Sequence, residues 1–198
     1  MSYLPLNIDM RQRSALVVGG GPVAARKARM LLQSGAKVQV VAPELSAELE
    51  ALVSSGAITS RIGCYQPGDL TEYFLVVAAT DDADVNSAIA SDAHAKGILV
   101  AVVDAPARGD CSFPAVLRRG NLEISVSTAG AFPAFAVHIR DLIAEMIDDG
   151  YGDALEQLAV EREKLLTEGN GSTYNSSIMR SRARELIKQL AERKECVP

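Results

Sequence analysis

The chain has 198 residues, 48% of them hydrophobic and 23% charged, with 20 basic and 25 acidic side chains for a net charge of −5. That composition excludes wholesale disorder, a collagen-like repeat and a disulfide-stapled mini-protein, and no segment reaches the roughly 20 uncharged apolar residues that a transmembrane helix needs. The acidic balance argues against nucleic acid or an anionic membrane as the main partner.

Three cysteines, Cys64, Cys111 and Cys196, lie far apart, without a CxxC pair and in odd number. This points away from a disulfide framework or zinc site and toward a reducing cytoplasm. The start, Met1 to Leu6, lacks a positive region followed by an apolar run, so no secretory signal is expected. Asn170-Gly171-Ser172 and Asn175-Ser176-Ser177 fit the glycosylation pattern, which has no bearing in the cytosol.

From Ser14 to about Thr128, short β-branched runs alternate with stretches of helical period, the mark of a parallel sheet covered on both faces. The predicted strands are Ala15 to Val18, Val38 to Val41, Phe74 to Ala79, Ile98 to Val103 and Leu122 to Val126, with a short one around Ile58 to Ile62. The predicted crossover helices are Val23 to Gln33, Leu45 to Ser54 and Asp84 to Lys96, each followed by a glycine: Gly35, Gly56 and Gly97. After Gly130 the period becomes helical throughout. Phe132 to Asp148 reads as one helix stopped by Gly150-Tyr151-Gly152, followed by helices at Asp153 to Leu166 and Ser177 to Lys194 around a polar loop. Each carries a narrow apolar stripe that must pack on the others or on a second subunit, and a homodimer is the expectation.

Ala15-Leu16-Val17-Val18-Gly19-Gly20-Gly21-Pro22-Val23-Ala24 is a strand, a glycine turn and a helix start, with Gly19, Gly21 and Ala24 at G-x-G-x-x-A spacing. Gly19 permits the tight turn, Gly21 lets backbone approach a pyrophosphate, and Ala24 lets helix and strand pack closely. Pro22 at the first helical position lacks a donor that would be unpaired there anyway, and the amides beyond it, from Val23 on, face the phosphates. The fold class is therefore α/β: a Rossmann-like parallel sheet at 1–130 that binds a dinucleotide, with a C-terminal helical dimerisation module at 131–198.

The second strand runs into Ala42-Pro43-Glu44. Pro43 and Glu44 stand where the ribose is held; Glu44 is either the ribose-binding acid or a first-turn acid of the next helix. Nothing basic between Ala42 and Ser46 offers to hold a 2′-phosphate, so NAD is expected over NADP. Thr80 and Asp81, at the carboxyl end of the next strand, are candidate cofactor contacts, with capping of the following helix as the alternative for Thr80, Asp81 or Asp82. Arg26, Lys27 and Arg29 read as a solvated helix face.

Further blocks carry a more specific resemblance: Tyr3-Leu4-Pro5-Leu6, Val23-Ala24-Ala25-Arg26-Lys27-Ala28, Val40-Val41-Ala42-Pro43, Ala78-Ala79-Thr80-Asp81-Asp82 with Asn86, Val102-Val103-Asp104-Ala105-Pro106, Phe113-Pro114, and Ser127-Thr128-Ala129-Gly130 with Pro133. In this order they resemble the precorrin-2 dehydrogenase family, the dehydrogenase module of sirohaem synthesis, some members of which also insert iron as sirohydrochlorin ferrochelatase. The resemblance implies that NAD accepts a hydride from precorrin-2 to give sirohydrochlorin, with Asp104 as general base; from the residues alone, Asp104 is a turn-starting aspartate before Ala105-Pro106. A polycarboxylate tetrapyrrole calls for local cations, and Arg108, Arg118, Arg119 and Arg140 are the candidates; the resemblance also implies that Thr128 lies in a loop lining the substrate cleft and that the helical module at 131–198 forms part of that cleft.

Three positions depart from the family pattern. Ala101 stands where asparagine is common, and the Ser/Thr-Gly-Gly-x-Ser-Pro turn reads Thr128-Ala129-Gly130-Ala131-Phe132-Pro133, so substrate handling and iron insertion are affected more than NAD binding. The two histidines, His94 and His138, are expected at helix surfaces, His138 alternatively reaching the cleft. No metal site is expected in the chain itself. The reading set against the enzyme is a non-catalytic dinucleotide- or tetrapyrrole-binding protein of the same fold.

Overall fold

A computed structural model describes residues 3–168 and 176–195; Cys196 and the polar segment 169–175, with Asn170 and Asn175, lie outside the described residues. The chain forms two compact units that meet in sequence at Phe113 and Pro114.

In the first unit β1 (Ser14–Val18), β2 (Lys37–Ala42), β3 (Thr59–Ile62), β4 (Leu75–Ala78) and β5 (Leu99–Val102) form one parallel sheet in the order β3-β2-β1-β4-β5. Alternate residues of each strand face opposite sides of the sheet. Ala15, Val17, Val38, Val40, Leu75 and Val77 bury against Ala24, Ala25, Ala28 and Leu31 of α1 (Pro22–Gln33) and Leu49 of α2 (Ala47–Ser54). Leu16, Val18, Val41, Val76, Ala78, Val100 and Val102 bury against Ile89, Ala90 and Ala93 of α3 (Ala83–Ala95). Both faces are thus covered, which is why β1, β4 and β5 read as apolar runs, whereas β3 at the sheet edge is polar and part-exposed. Each fully buried valine, leucine or isoleucine contributes about 1.5–3 kcal/mol.

The open edge of β5 is closed by its own continuation. The Asp110 amide donates to the Val100 carbonyl at 2.8 Å, and the Asp110 carboxylate accepts from the Val100 amide at 3.0 Å. Gly109 makes that approach possible, since a Cβ there would lie 2.7 Å from the Val100 carbonyl oxygen. Asp110 also pairs with His94, 3.2 Å away at the exposed end of α3.

The second unit corrects the expectation of a purely helical module and of a sixth parallel strand. Leu122 to Val126 does not join the sheet. It forms β7 (Leu122–Val126), antiparallel to β6 (Ala115–Arg119), with Arg119 opposite Leu122 across a tight Gly120-Asn121 turn in which Gly120 has φ 55°. The hairpin packs with α4 (Pro133–Met146) and α5 (Asp149–Glu168), and α6 (Ser176–Glu195) packs on α5. These contacts draw 114–130 into the second unit rather than the first.

Gly150-Tyr151-Gly152, expected to stop a helix, instead lies in the first turn of α5. The break falls earlier, at extended Ile147, and Asp148 starts the new helix by accepting from the Gly150 amide at 3.0 Å. Gly152 is where α5 touches β6: a Cβ there would lie 2.5 Å from the Arg119 carbonyl oxygen.

Candidate dinucleotide site

The turn after β1 is shaped by three consecutive glycines with three different reasons. Gly19 has φ 131°, and a Cβ on it would lie 2.3 Å from the Ala79 carbonyl oxygen at the end of β4. Gly20, which the motif leaves as any residue, is equally constrained: its Cβ would lie 1.8 Å from the Glu44 carbonyl oxygen, and its own carbonyl accepts from the Ser46 amide at 2.8 Å. Gly21, the N-cap of α1, has nothing within 4 Å of where a Cβ would stand. That open cradle lies beside the first turn of α1, whose first intrahelical bond is from the Ala25 amide to the Gly21 carbonyl, leaving the Val23 and Ala24 amides without an acceptor in the helix. Pro22 occupies the first helical position and Ala24 is fully buried. An open, amide-lined helix start fits a pyrophosphate.

Pro43 and Glu44 are exposed at the carboxyl end of β2, with the Glu44 backbone against Gly20. Glu44 precedes the α2 N-cap, Ser46, and the first-turn acids of that helix are Glu48 and Glu50, so Glu44 is not one of them. Glu48 instead pairs with Arg29 of α1.

At the ends of β4 and β5, Asn86 joins two candidates. It is 1% exposed, in the first turns of α3. Its Oδ1 accepts from the Thr80 amide at 3.1 Å and the Thr80 hydroxyl at 2.8 Å, while its Nδ2 donates to the Thr80 carbonyl at 3.1 Å and to Asp104 Oδ1 at 3.0 Å. Asp104 itself is exposed just past β5. Asp82 caps α3, accepting from the Asp84 and Val85 amides, which leaves Asp81 exposed beside the cap. Asn86 carried a signal in the sequence: it leads the i, i+3, i+4, i+7 stripe completed by Ile89, Ala90 and Ala93, a polar residue where the pattern asks for an apolar one.

Lys27 corrects the solvated-face reading of α1. It is 8% exposed, its ammonium lies 4.1 Å from the centroid of the Phe113 ring, and burial, aided by Arg26, brings it down to about 8. Cys111 is part-buried beside β5, and burial pushes its thiol up to about 11; Cys64 is exposed.

The candidate arginines all have partners within their own units. Arg108 donates to the Ser87 hydroxyl. Arg118 pairs with its cross-strand neighbour Glu123 at 2.9 Å. Arg119 donates to the Ile147 carbonyl at 2.9 Å and pairs with Asp149 at 3.4 Å, holding the negative end of α4. Arg140 pairs with Asp141 at 2.5 Å. Thr128 Oγ1 accepts from the Phe132 amide at 3.3 Å in a turn where Ala129 has φ 52°. Phe132 is the N-cap of α4 without a side-chain cap, and His138 is exposed on that helix.

A parallel sheet in this order, with a glycine turn at the point where β1 separates β2 from β4, defines a Rossmann-type dinucleotide-binding protein. The family model described as putative NAD(P)-binding matches residues 6–115, and the chain belongs to that family. It is 45% identical over 152 residues to the siroheme synthase of Chromobacterium violaceum, covering 77% of this chain and 32% of the relative. It is 40% identical over 194 residues to the siroheme synthase of Pseudomonas paraeruginosa, covering 98% and 38%. The chain thus spans about a third of the length of these curated relatives. The solved structure of SirC, precorrin-2 dehydrogenase, superposes with a TM-score of 0.73 at 27% identity, covering 96% of this chain and 100% of that one.

Proposed function

We propose that the chain is an NAD-dependent dehydrogenase that oxidises precorrin-2 to sirohydrochlorin. The observation that carries this reading is Asp104, a carboxylate fixed at one oxygen by a buried amide, on the same carboxyl edge of the sheet as the open glycine cradle. Likeness to siroheme synthases and to SirC, precorrin-2 dehydrogenase, supports the substrate. When bound, the nicotinamide supplies the hydride acceptor.

When NAD is bound, the amides of Val23 and Ala24 and the open face of Gly21 would hold the pyrophosphate, Pro43 and Glu44 would hold the ribose, and Thr80 and Asp81 would contact the cofactor. A negative Glu44 favours ribose hydroxyls over a 2′-phosphate, hence NAD. Asp104 accepts the proton that leaves the macrocycle as the hydride departs. Arg108, Arg118, Arg119 and Arg140, with Thr128, are the groups of the chain suited to the substrate carboxylates; Arg118, Arg119 and Arg140 would exchange an acidic partner for one, and Arg108 its bond to Ser87. Phe132, Phe135, Leu142 and Met146 expose 49–67% of their surface on and beside α4, which supports a homodimer formed through this unit. The setting is the cytoplasm.

The test is Asp104→Ala: NADH formation from precorrin-2 is lost while NAD affinity is kept. Full turnover in that variant removes Asp104 from its role, and wild-type protein that binds NAD and the tetrapyrrole without forming NADH selects the non-catalytic reading. Iron-dependent conversion of sirohydrochlorin above the spontaneous rate would add the ferrochelatase activity.

A further inference from the structure

Asn86 is buried, and among the described residues it makes the one side-chain bond to Asp104. Its amide has two hydrogens, both used, on the Thr80 carbonyl and Asp104 Oδ1, and its oxygen accepts from the Thr80 amide and lies 2.8 Å from the Thr80 hydroxyl, whose single hydrogen it shares with the Asp82 carbonyl. Rotating the amide by half a turn would set its oxygen against a carbonyl and a carboxylate and its hydrogens against an N–H, so one orientation is selected. The group facing Asp104 is therefore always a donor.

We infer that Asn86 is the positioning residue of the reaction: it fixes Asp104 Oδ1 as a permanent acceptor and thereby assigns the transferred proton to Oδ2. This rests on the reading of Asp104 as the base. With Oδ1 engaged by a donor, Oδ2 is the more basic oxygen and takes the proton preferentially, so the carboxylate presents a preferred direction to the substrate C–H, set from within the core through α3 rather than by the exposed loop that carries Asp104. The same amide ties Thr80, at the end of β4, to Asp104, beyond the end of β5. No proton passes through Asn86; a carboxamide holds its hydrogens across the working pH range.

The test is Asn86→Leu, similar in volume but with no donor for Asp104 Oδ1. The inference expects kcat for NADH formation to fall about tenfold or more, with the KM for precorrin-2 and the Kd for NAD within about twofold of wild type. A role confined to packing lowers the melting temperature and leaves kcat below it unchanged, and kcat retained in a folded Asn86→Leu overturns the inference. Should the variant not fold, the wild type decides: the Asn86 side-chain amide resonances move when Asp104 is replaced in Asp104→Ala. Resonances that ignore Asp104 overturn the inference as well. Wild-type protein that forms no NADH contradicts the proposed reaction instead, so the two failures are distinct.

Discussion

Gly20→Ala brings a methyl group to 1.8 Å from the Glu44 carbonyl oxygen, 2.9 Å from its carbon and 3.0 Å from the Ala42 Cβ. Ordinary contact begins at about 3.4 Å, so the turn after β1 and the loop before α2 must separate by about 1.6 Å. That separation breaks the 2.8 Å bond from the Ser46 amide to the Gly20 carbonyl. Overpacking costs about 1–3 kcal/mol and the lost bond about 1 kcal/mol, together about 2–4 kcal/mol, or on the order of 10–20 °C in melting temperature for a unit of this size. Gly21→Ala is the control. With nothing within 4 Å and φ −82°, its methyl costs the fold less than about 1 kcal/mol, but it stands where the pyrophosphate would lie and lowers NAD affinity about tenfold or more. Thermal melts followed by circular dichroism, with NAD titration by calorimetry, read both effects. A Gly20→Ala protein that melts like wild type, or a Gly21→Ala protein that binds NAD like wild type, refutes the geometry described for this turn.

Three further outcomes follow from single residues. The ammonium of Lys27 ionises at about 8 in the fold and near 10.4 in an unfolded chain, so the unfolded state holds more protons between those values and stability rises with pH across that window. Lys27→Met removes this rise: wild type gains on the variant from pH 8 to 10 in denaturant titrations, and a constant difference contradicts the buried ammonium. Ala129→Gly relieves a left-handed backbone at φ 52° and stabilises the second unit by about 1 kcal/mol; an unchanged or lower denaturation midpoint for that unit counts against the strain. Cys64, exposed, is alkylated at pH 8 well before Cys111, whose thiol burial holds at about 11. Mass mapping showing Cys111 modified first would contradict its burial.

The parallel sheet was legible because β1, β2, β4 and β5 are largely buried and read as apolar runs, and Gly19 to Ala24 declared the turn between β1 and α1. Gly20 was not legible as essential, since the demand comes from Glu44, brought there by the pairing of β1 with β2. Lys27 looked like part of a charged face because its cover, Phe113, is remote in sequence. The β6–β7 hairpin was missed although its signal was present: Leu122, Ile124 and Val126 alternate with Glu123 and Ser125, and Gly120-Asn121 is a two-residue turn. Arg118 and Arg119 were weighed as isolated cations, whereas the first is a cross-strand partner and the second holds the end of α4, a fact that depends on where that helix stops. Asn86 appeared within a matched block, but its bond to Asp104 depends on the adjacency of β4 and β5.

The most direct measurement is the stoichiometry of one anaerobic reaction: wild-type protein, NAD and a limiting amount of precorrin-2, with NADH absorbance and the sirohydrochlorin spectrum recorded together. The account predicts one NADH for each precorrin-2 consumed and one sirohydrochlorin formed. Sirohydrochlorin appearing without NADH, or no conversion by protein that binds NAD, contradicts it.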